Sequence, residues 1–574
     1  MKRKSMLCLF LVLSMILGII PAAQMSNESN YPDYLNLESY YPLVKEGEDI
    51  TIRVATLQAD GYGTSDPFDY WFFAWLQKNM NIMLDIEMIP ESAWAERKAL
   101  MFASGDLPDL MLCMGLTTND LVTYGEVNKQ LLDWTPYINE VLTPELVAWF
   151  DYYPTLQAAV SCANGGMYSL PNSARNTDIG GTAARYFINS AWLAEAGIDA
   201  PSTLDEFANM LRAFKKLYPE SIPMGGGYGS DVVASVVSAP NPCYAILNAL
   251  GYITGDPYGL SPAIREGKVV IPAADEHYYT FLEVMKTLYD EELISKDFFT
   301  MDLTQFNALA LENKFGAMGY VPYLCLPETF GEWESLSPLT SNINSVKQWY
   351  NRDFFNTGNY AISADTKYPE LLVRLGSWLF TDDGNVVAWG GPQTGTEDTL
   401  GLCGGWFIDD EKIFRQQDVL DGKYPNNWEY YLNECYPNGG FAALGNSSNF
   451  SLENQETGYN IRWERCGYPN YRRPLIADIG DNWFRISQLE KLSDYITEGY
   501  PTKVFFSDEI NIRITDLGAV INSYVRNETA KFITGARPLE EFDHYMDELK
   551  KLGLEEYLGY YIDYYEAYKA NLTK

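Results

Sequence analysis

Groups able to do chemistry are few in this chain, and they are scattered. Two histidines, His277 and His544, are all that 574 residues hold. Both fall in or beside amphipathic helical patterns, where an imidazole is solvated rather than poised to react. Imidazole-bound zinc needs clustered histidines, and no His-Glu-x-x-His pair occurs. There is no Gly-x-Ser-x-Gly elbow. Gly267-Lys268 and Gly422-Lys423 lack the upstream glycine and the following hydroxyl of a phosphate loop. Two carboxylates could cleave a glycoside, but among 77 acidic residues close pairs arise by chance. The pattern therefore names no catalytic residue, no metal site and no cofactor.

Aromatic rings are the stronger signal, with 14 Trp, 42 Tyr and 27 Phe. Sugars present C–H faces that stack on rings and hydroxyls that need donors and acceptors. A sugar cleft accordingly sets Trp and Tyr beside Asp, Asn, Glu and Arg. Three stretches with loop-like flanks do this: Gly404 to Asp410 around Trp406, Asn426 to Glu429 around Trp428, and Arg462 to Arg465 around Trp463. Core or lobe packing is the competing role for each ring. Trp192 and Trp378 lie in helical patterns and read as core.

Charge narrows the partners. The net charge of −36 repels phosphate backbones, so nucleic acid is not an expected partner, and an anionic ligand would need a local basic pocket. Eight cysteines are spread along the chain without a Cys-x-x-Cys. Behind Cys8, the seven at 113, 162, 243, 325, 403, 435 and 466 read mostly as small buried hydrophobes. A pair such as Cys435 and Cys466 could bridge.

The N-terminus has the layout of a secretory signal peptide, residues 1–23. Lys2, Arg3 and Lys4 precede the apolar run Met6 to Ile20, and Pro21-Ala-Ala follows. That run is shorter than the ~20 residues of a membrane span, and no later segment is long and apolar enough to cross. No Cys follows Gly18, so lipidation is not supported. The exported length exceeds what one core usually holds, and two or more lobes are expected.

The elements follow from periodicity. Residues 24–48 are polar and contain Tyr and Pro, a linker or a strap across the surface. Ile50, Ile52 and Val54 alternate as a strand requires, and Ile82, Leu84, Ile86 and Met88 do so again. An aromatic-rich helix, Phe68 to Asn79, lies between them. A helix from Trp94 is stopped by Gly105 and Pro108, and the apolar strand Leu110 to Met114 follows. This β-α-β-α-β order implies a parallel sheet, with ligands beyond the carboxyl ends of its strands. The loop after the first strand holds Tyr62 and Asp66; Asp109 and Met114 flank the third strand. Further on, Thr203 and Glu206 fit a capping box. Leu204, Phe207, Leu211, Phe214 and Tyr218 give that helix a buried face. The glycine-rich run Met224 to Gly229 matches no dinucleotide fingerprint and reads as a loop whose backbone approaches a neighbour closely.

Several of these blocks together resemble a known family. They are Trp94 to Met111, Gly165 to Pro171, Tyr186 to Gly197, Ala200 to Phe207, Gly358 to Ala364, Thr529 to Gly535 and Leu539 to Leu552. The chain resembles the extracellular solute-binding proteins of bacterial ABC importers, family 1, the sugar type. Two departures stand out. Asn189-Ser-Ala191 replaces the usual basic-Asp pair, and Tyr218 to Met224 lacks the acidic oxygens of the calcium-loop insert, so no calcium is expected there.

The resemblance implies an α/β, two-lobed periplasmic-binding-protein-like type II fold with an interlobe cleft and a multi-strand hinge. Residues 49–172 plus 358–394 would form the N-lobe, and 173–357 plus 395–574 the C-lobe. Asn172 and Arg175 would lie at the first crossing between lobes, and Gln393 and Glu397 just after the second. The ligand-binding candidates are thus Tyr62, Asp66, Asp109, Asn172, Arg175, Glu397, Trp406, Trp428 and Trp463. The implied activity is capture of a carbohydrate, an oligosaccharide above all, and delivery to ABC permease subunits in the membrane. The protein is expected to be a secreted or cell-surface monomer and not an enzyme. A binder of another solute, such as a peptide or polyol, is the alternative, with a secreted glycoside hydrolase behind it.

Overall fold

The computed structural model describes residues 31–152, 154–173, 186–228, 241–319, 331–351, 355–381, 384, 387–388, 391–408, 414–424, 427–437, 491–501 and 503–572. Arg175 and Trp463 lie outside these residues, and of Trp428 only the backbone is described.

The predicted β-α-β-α-β order is present. Strand β1 (Thr51–Gln58) pairs in parallel with β2 (Met83–Pro90) and with β3 (Leu110–Leu112). Helices α1 (Trp71–Met80) and α2 (Trp94–Ser104) connect them. On its outer edge β2 alternates, with Ile82 and Leu84 buried and Met83 and Asp85 exposed. A fourth strand, Tyr360–Ile362, returns antiparallel to β3, so the sheet is closed by chain about 250 residues downstream (Ala361 opposite Met111).

The second lobe has its own sheet, ordered Trp333–Ser335, Phe187–Asn189, Phe315–Met318, Ile222–Met224. The first two pairings are antiparallel and the third is parallel. The capping box is formed: Thr203 Oγ1 accepts the Glu206 N–H at 3.1 Å, and Glu206 accepts the Thr203 N–H at 3.1 Å. Leu204, Phe207, Leu211 and Phe214 are buried as their spacing predicts, while Tyr218 ends the helix half-buried. At Gly225 a Cβ would sit 2.4 Å from the Phe315 ring, the close approach expected of the glycine-rich run. The helix Asp508–Thr534 begins well before the family-like block Thr529 to Gly535, and its Leu517, Ile521, Val525 and Phe532 enter this lobe's core. Its start also reaches the first lobe, where Asp508 accepts a hydrogen bond from Thr123 at 2.5 Å and Asn511 donates one to Asn119 at 2.5 Å.

Two boundaries move. The proposed linker is a strap. Leu35, Leu43 and Val44 are buried in the first core, because the fully buried Arg374 guanidinium donates to the carbonyls of Asn36 and Leu37, each at 2.9 Å. The change of lobe placed at residue 394 comes later. Tyr430, Cys435 and Tyr436 lie in the first core, with Leu400, Cys403, Val419 and Tyr424 packed against it. Apolar side chains there cover α1, where Phe72 and Phe73 meet Tyr436 at 5.4 and 5.3 Å between ring centroids. Among the described residues no helix is long and apolar enough to cross a membrane.

Candidate ligand-binding cleft

Five separate stretches meet at the carboxyl ends of β1 and β3. The loop after β3 is pinned to the second crossing. Asn359 O accepts the Cys113 N–H at 2.7 Å, Asn359 Oδ1 accepts the Gly115 N–H at 3.1 Å, and Gly358 O accepts the Leu116 N–H at 3.0 Å. Only glycine fits at 358, since φ is +88° and a Cβ would stand 1.9 Å from Leu116 O. The crossings pair with each other, Asn172 opposite Asn356 and Ser173 opposite Phe355, antiparallel. Ser169 Oγ completes the tie, accepting the Gly358 N–H at 2.8 Å and donating to Tyr360 O at 3.0 Å.

The loop after β1 is held from the other side. Ala59 N–H donates to Pro437 O at 2.9 Å, and Gly63 N–H to Asn433 Oδ1 at 3.0 Å. Tyr436 joins the two halves, its hydroxyl 2.9 Å from Thr56 Oγ1 and beside the Cys113 thiol. Burial pushes that thiol up to about 12, so Cys113 is an apolar filler here.

The predicted residues sort as follows. Tyr62 and Asp66 are exposed on the β1 loop, and Asp66 also caps the next turn by accepting the Phe68 N–H at 2.9 Å. Asn172 is half-buried in the crossing pair. Trp428 stands in the turn of helix Asn427–Tyr430, directly before the stretch that holds the β1 loop. Glu397 is exposed in a separate turn, Glu397–Thr399.

Two candidates are corrected. Asp109 precedes β3 and so lies at the amino end of the parallel strands, opposite the carboxyl-end loops. Its carboxylate is occupied by the Arg53 N–H at 3.0 Å and the Thr366 hydroxyl at 2.7 Å. Trp406 is 3 % exposed and donates its indole N–H to Gly391 O at 2.9 Å, which makes it a packing residue of the hairpin Trp406–Ile408/Phe414–Gln416.

Sequence reasoning missed a set of buried polar side chains without a protein partner: Thr357 Oγ1, Gln348 Nε2, Asn241 Nδ2 and both amide atoms of Gln416. Each such group costs about 1–3 kcal/mol unless water or a ligand satisfies it. Thr357 directly precedes the Gly358 crossing motif and was legible from it; the other three carried no signal. Among the described residues no cluster of His, Cys, Asp or Glu is arranged to hold a metal ion.

Comparison with known proteins agrees with this architecture. No protein-family profile matches the chain. Over 590 aligned positions, spanning all of both chains, it is 24% identical to the fructooligosaccharide ABC transporter substrate-binding protein FusA of Streptococcus pneumoniae. It is 26% identical over 250 residues, 42% of this chain and 45% of the relative, to lipoprotein LipO of Bacillus subtilis. An extracellular solute-binding protein from Bifidobacterium longum subsp. infantis superposes with a TM-score of 0.69 at 18% identity, over 91% of this chain and 99% of that one. FusA in complex with kestose does so with a TM-score of 0.60 at 20% identity, over 91% and 100%. The fold is the two-lobed solute-binding fold. The full-length likeness to FusA and this shared fold are similarities to the extracellular solute-binding proteins of ABC importers that the motifs resemble.

Proposed function

We propose that this protein captures an oligosaccharide between its lobes, outside the cell, and delivers it to a membrane permease as a monomer without chemically changing it. The observation that carries the reading is the end-to-end likeness to a fructooligosaccharide-binding protein. Kestose, bound by that relative in the solved complex, is the first ligand to try. The proposed wall of the cleft on the first lobe is made by Tyr62, Asp66, Asn172 and Trp428, residue types suited to stacking on a sugar and hydrogen-bonding its hydroxyls. Arg175, Glu397 and Trp463 complete the proposed set. Hinge closure about the crossing strands would bury the sugar.

Calorimetry and thermal shift of the chain lacking residues 1–23, against fructooligosaccharides, other glycans, peptides and polyols, test this. A ligand that binds only the folded state raises the melting temperature by mass action. The expected result is heat and an upward shift with one glycan class. Replacing Trp428 or Trp463 by Ala should abolish the shift and leave the unliganded protein unchanged. Replacing Trp406 should instead lower the unliganded melting temperature. Heat from no glycan in the panel would overturn the reading.

A further inference from the structure

Cys403 and Cys435 stand together in the first lobe. Cys435 is fully buried at the end of the turn Tyr431–Cys435, and Cys403 is half-buried in the turn before the Trp406 hairpin. Their thiols lie against each other, and the Tyr430 hydroxyl lies beside both. Their neighbours in sequence are tied as well. Gly404 N–H donates to Asp418 Oδ2 at 3.0 Å, and Lys423 Nζ is 3.7 Å from that same oxygen. Lys423 also pairs with Glu434, which accepts a further hydrogen bond from Tyr424. The residue after Cys403 and the residue before Cys435 are thus joined through one carboxylate–ammonium–carboxylate chain. On its other side Cys435 packs against Gly391, where a Cβ would come within 3.1 Å of the sulfur.

We propose that Cys403 and Cys435 are a dithiol–disulfide site, oxidised in the exported protein, that closes the segment carrying Trp406 and Trp428 into a covalent loop. Residence in an oxidising compartment rests on the extracellular reading above. The oxidant is a low-molecular-weight disulfide. The half-buried Cys403 thiolate attacks one sulfur of it, releases one small thiolate and leaves a mixed disulfide. The Cys435 sulfur then displaces the second small thiol and loses its proton. Two thiols become one S–S bond, two protons leave the protein, and two electrons reduce the small disulfide to two thiols. Burial raises the Cys435 thiol well above its ordinary value, which disfavours it as the first attacker. Its contact with Cys403 supplies the proximity that the second step requires. The gain is a shorter unfolded-state loop, and so a more tightly held ligand-side segment.

The full chain, secreted and purified without reductant, is denatured and its free thiols blocked with iodoacetamide. Disulfides are then reduced and newly freed thiols labelled with N-ethylmaleimide before peptide mass spectrometry. The expected result is N-ethylmaleimide on Cys403 and Cys435, and iodoacetamide on Cys113, Cys162 and Cys243. In a parallel arm the protein is reduced, desalted and exposed to oxidised glutathione, which should form the same linked peptide and raise the melting temperature by several degrees. A link formed only with glutathione supports the pair and places the failure in the export reading. Iodoacetamide on both cysteines in both arms, or Cys435 linked to Cys466, overturns the proposal.

Discussion

The two lobes are held together by different means. The first is assembled from stretches far apart in sequence. Arg374 reaches 338 positions back to the carbonyl of Asn36, and Tyr360–Ile362 closes a sheet begun near residue 51. The second lobe also has distant ties, such as Tyr545 to the Ala273 carbonyl, but adds local devices to them: the capping boxes at Thr203–Glu206 and Asp302–Gln305, and the end caps of helix Asp508–Thr534. Loss of a single long-range tie should therefore injure the first lobe more than loss of a cap injures the second. The ligand-side loops hang on those long-range ties, so injury there should reach binding as well.

Arg374 gives the sharpest contrast. Its side chain is 3 % exposed and donates to four backbone carbonyls, those of Asn36, Leu37, Val141 and Leu142, at 2.9 to 3.3 Å. Burial lowers its pKa, and the nearby Tyr40 and Glu145 offset that; guanidinium stays charged regardless. Replacing Arg374 with Ala orphans the carbonyls and removes the positive charge near Glu145, which keeps its hydrogen bonds from Tyr40 and Ser377. The expected loss is about 3–5 kcal/mol, confined to the first lobe. Urea unfolding followed by hydrogen exchange would show the protection of β1 to β3 collapse while that of helix Leu204–Leu217 persists. Equal loss in both lobes would mean that they unfold as one unit and that the contrast is false.

Gly358→Ala tests whether the same ties serve the cleft. A Cβ at φ +88° would meet Leu116 O at 1.9 Å, so backbone must shift on both sides of the contact. The expected cost is about 2–4 kcal/mol. Because Leu116 and Gly358 join the β3 loop to the crossing, ligand affinity should fall further than global stability does. Unchanged affinity in the folded fraction, measured by calorimetry, would detach this tie from the site.

The same difference explains what could be read from the sequence. Local signals were faithful. Alternation gave β1 and β2, Gly105 ended its helix, and Thr203 with Glu206 gave the cap. Each depends on residues within a few positions of one another. The strap, Arg374, and the return of Tyr430 to Tyr436 into the first core depend on partners hundreds of positions away, and no periodicity encodes them. The candidate site fell between these cases. Tyr62 was chosen by the rule that ligands sit at the carboxyl ends of parallel strands, and Asn172 by the likeness of its block to a lobe crossing. Asp109 sat one strand-length away from that rule's edge. Trp406 had the composition of a binding loop, but its indole N–H found a carbonyl in its own lobe.

The smallest expected effect lies in the second lobe. Thr203→Ala removes the acceptor of the Glu206 N–H, while Glu206 can still accept from Ser202 at 2.8 Å and Thr203 at 3.1 Å. Half of the box survives, and the helix it starts buries Leu204, Phe207, Met210, Leu211 and Phe214 regardless. The loss should be about 1 kcal/mol, seen as a small downward shift of the second-lobe transition with ligand affinity intact. Replacing Glu206 as well should cost more than the sum of the two single changes, because the two hydrogen bonds close one turn and either one alone holds much of it. A Thr203→Ala loss as large as that of Arg374→Ala would show that the second lobe also rests on a single tie, through the hydrogen bond from Leu204 N–H to Thr340 O beside the cap.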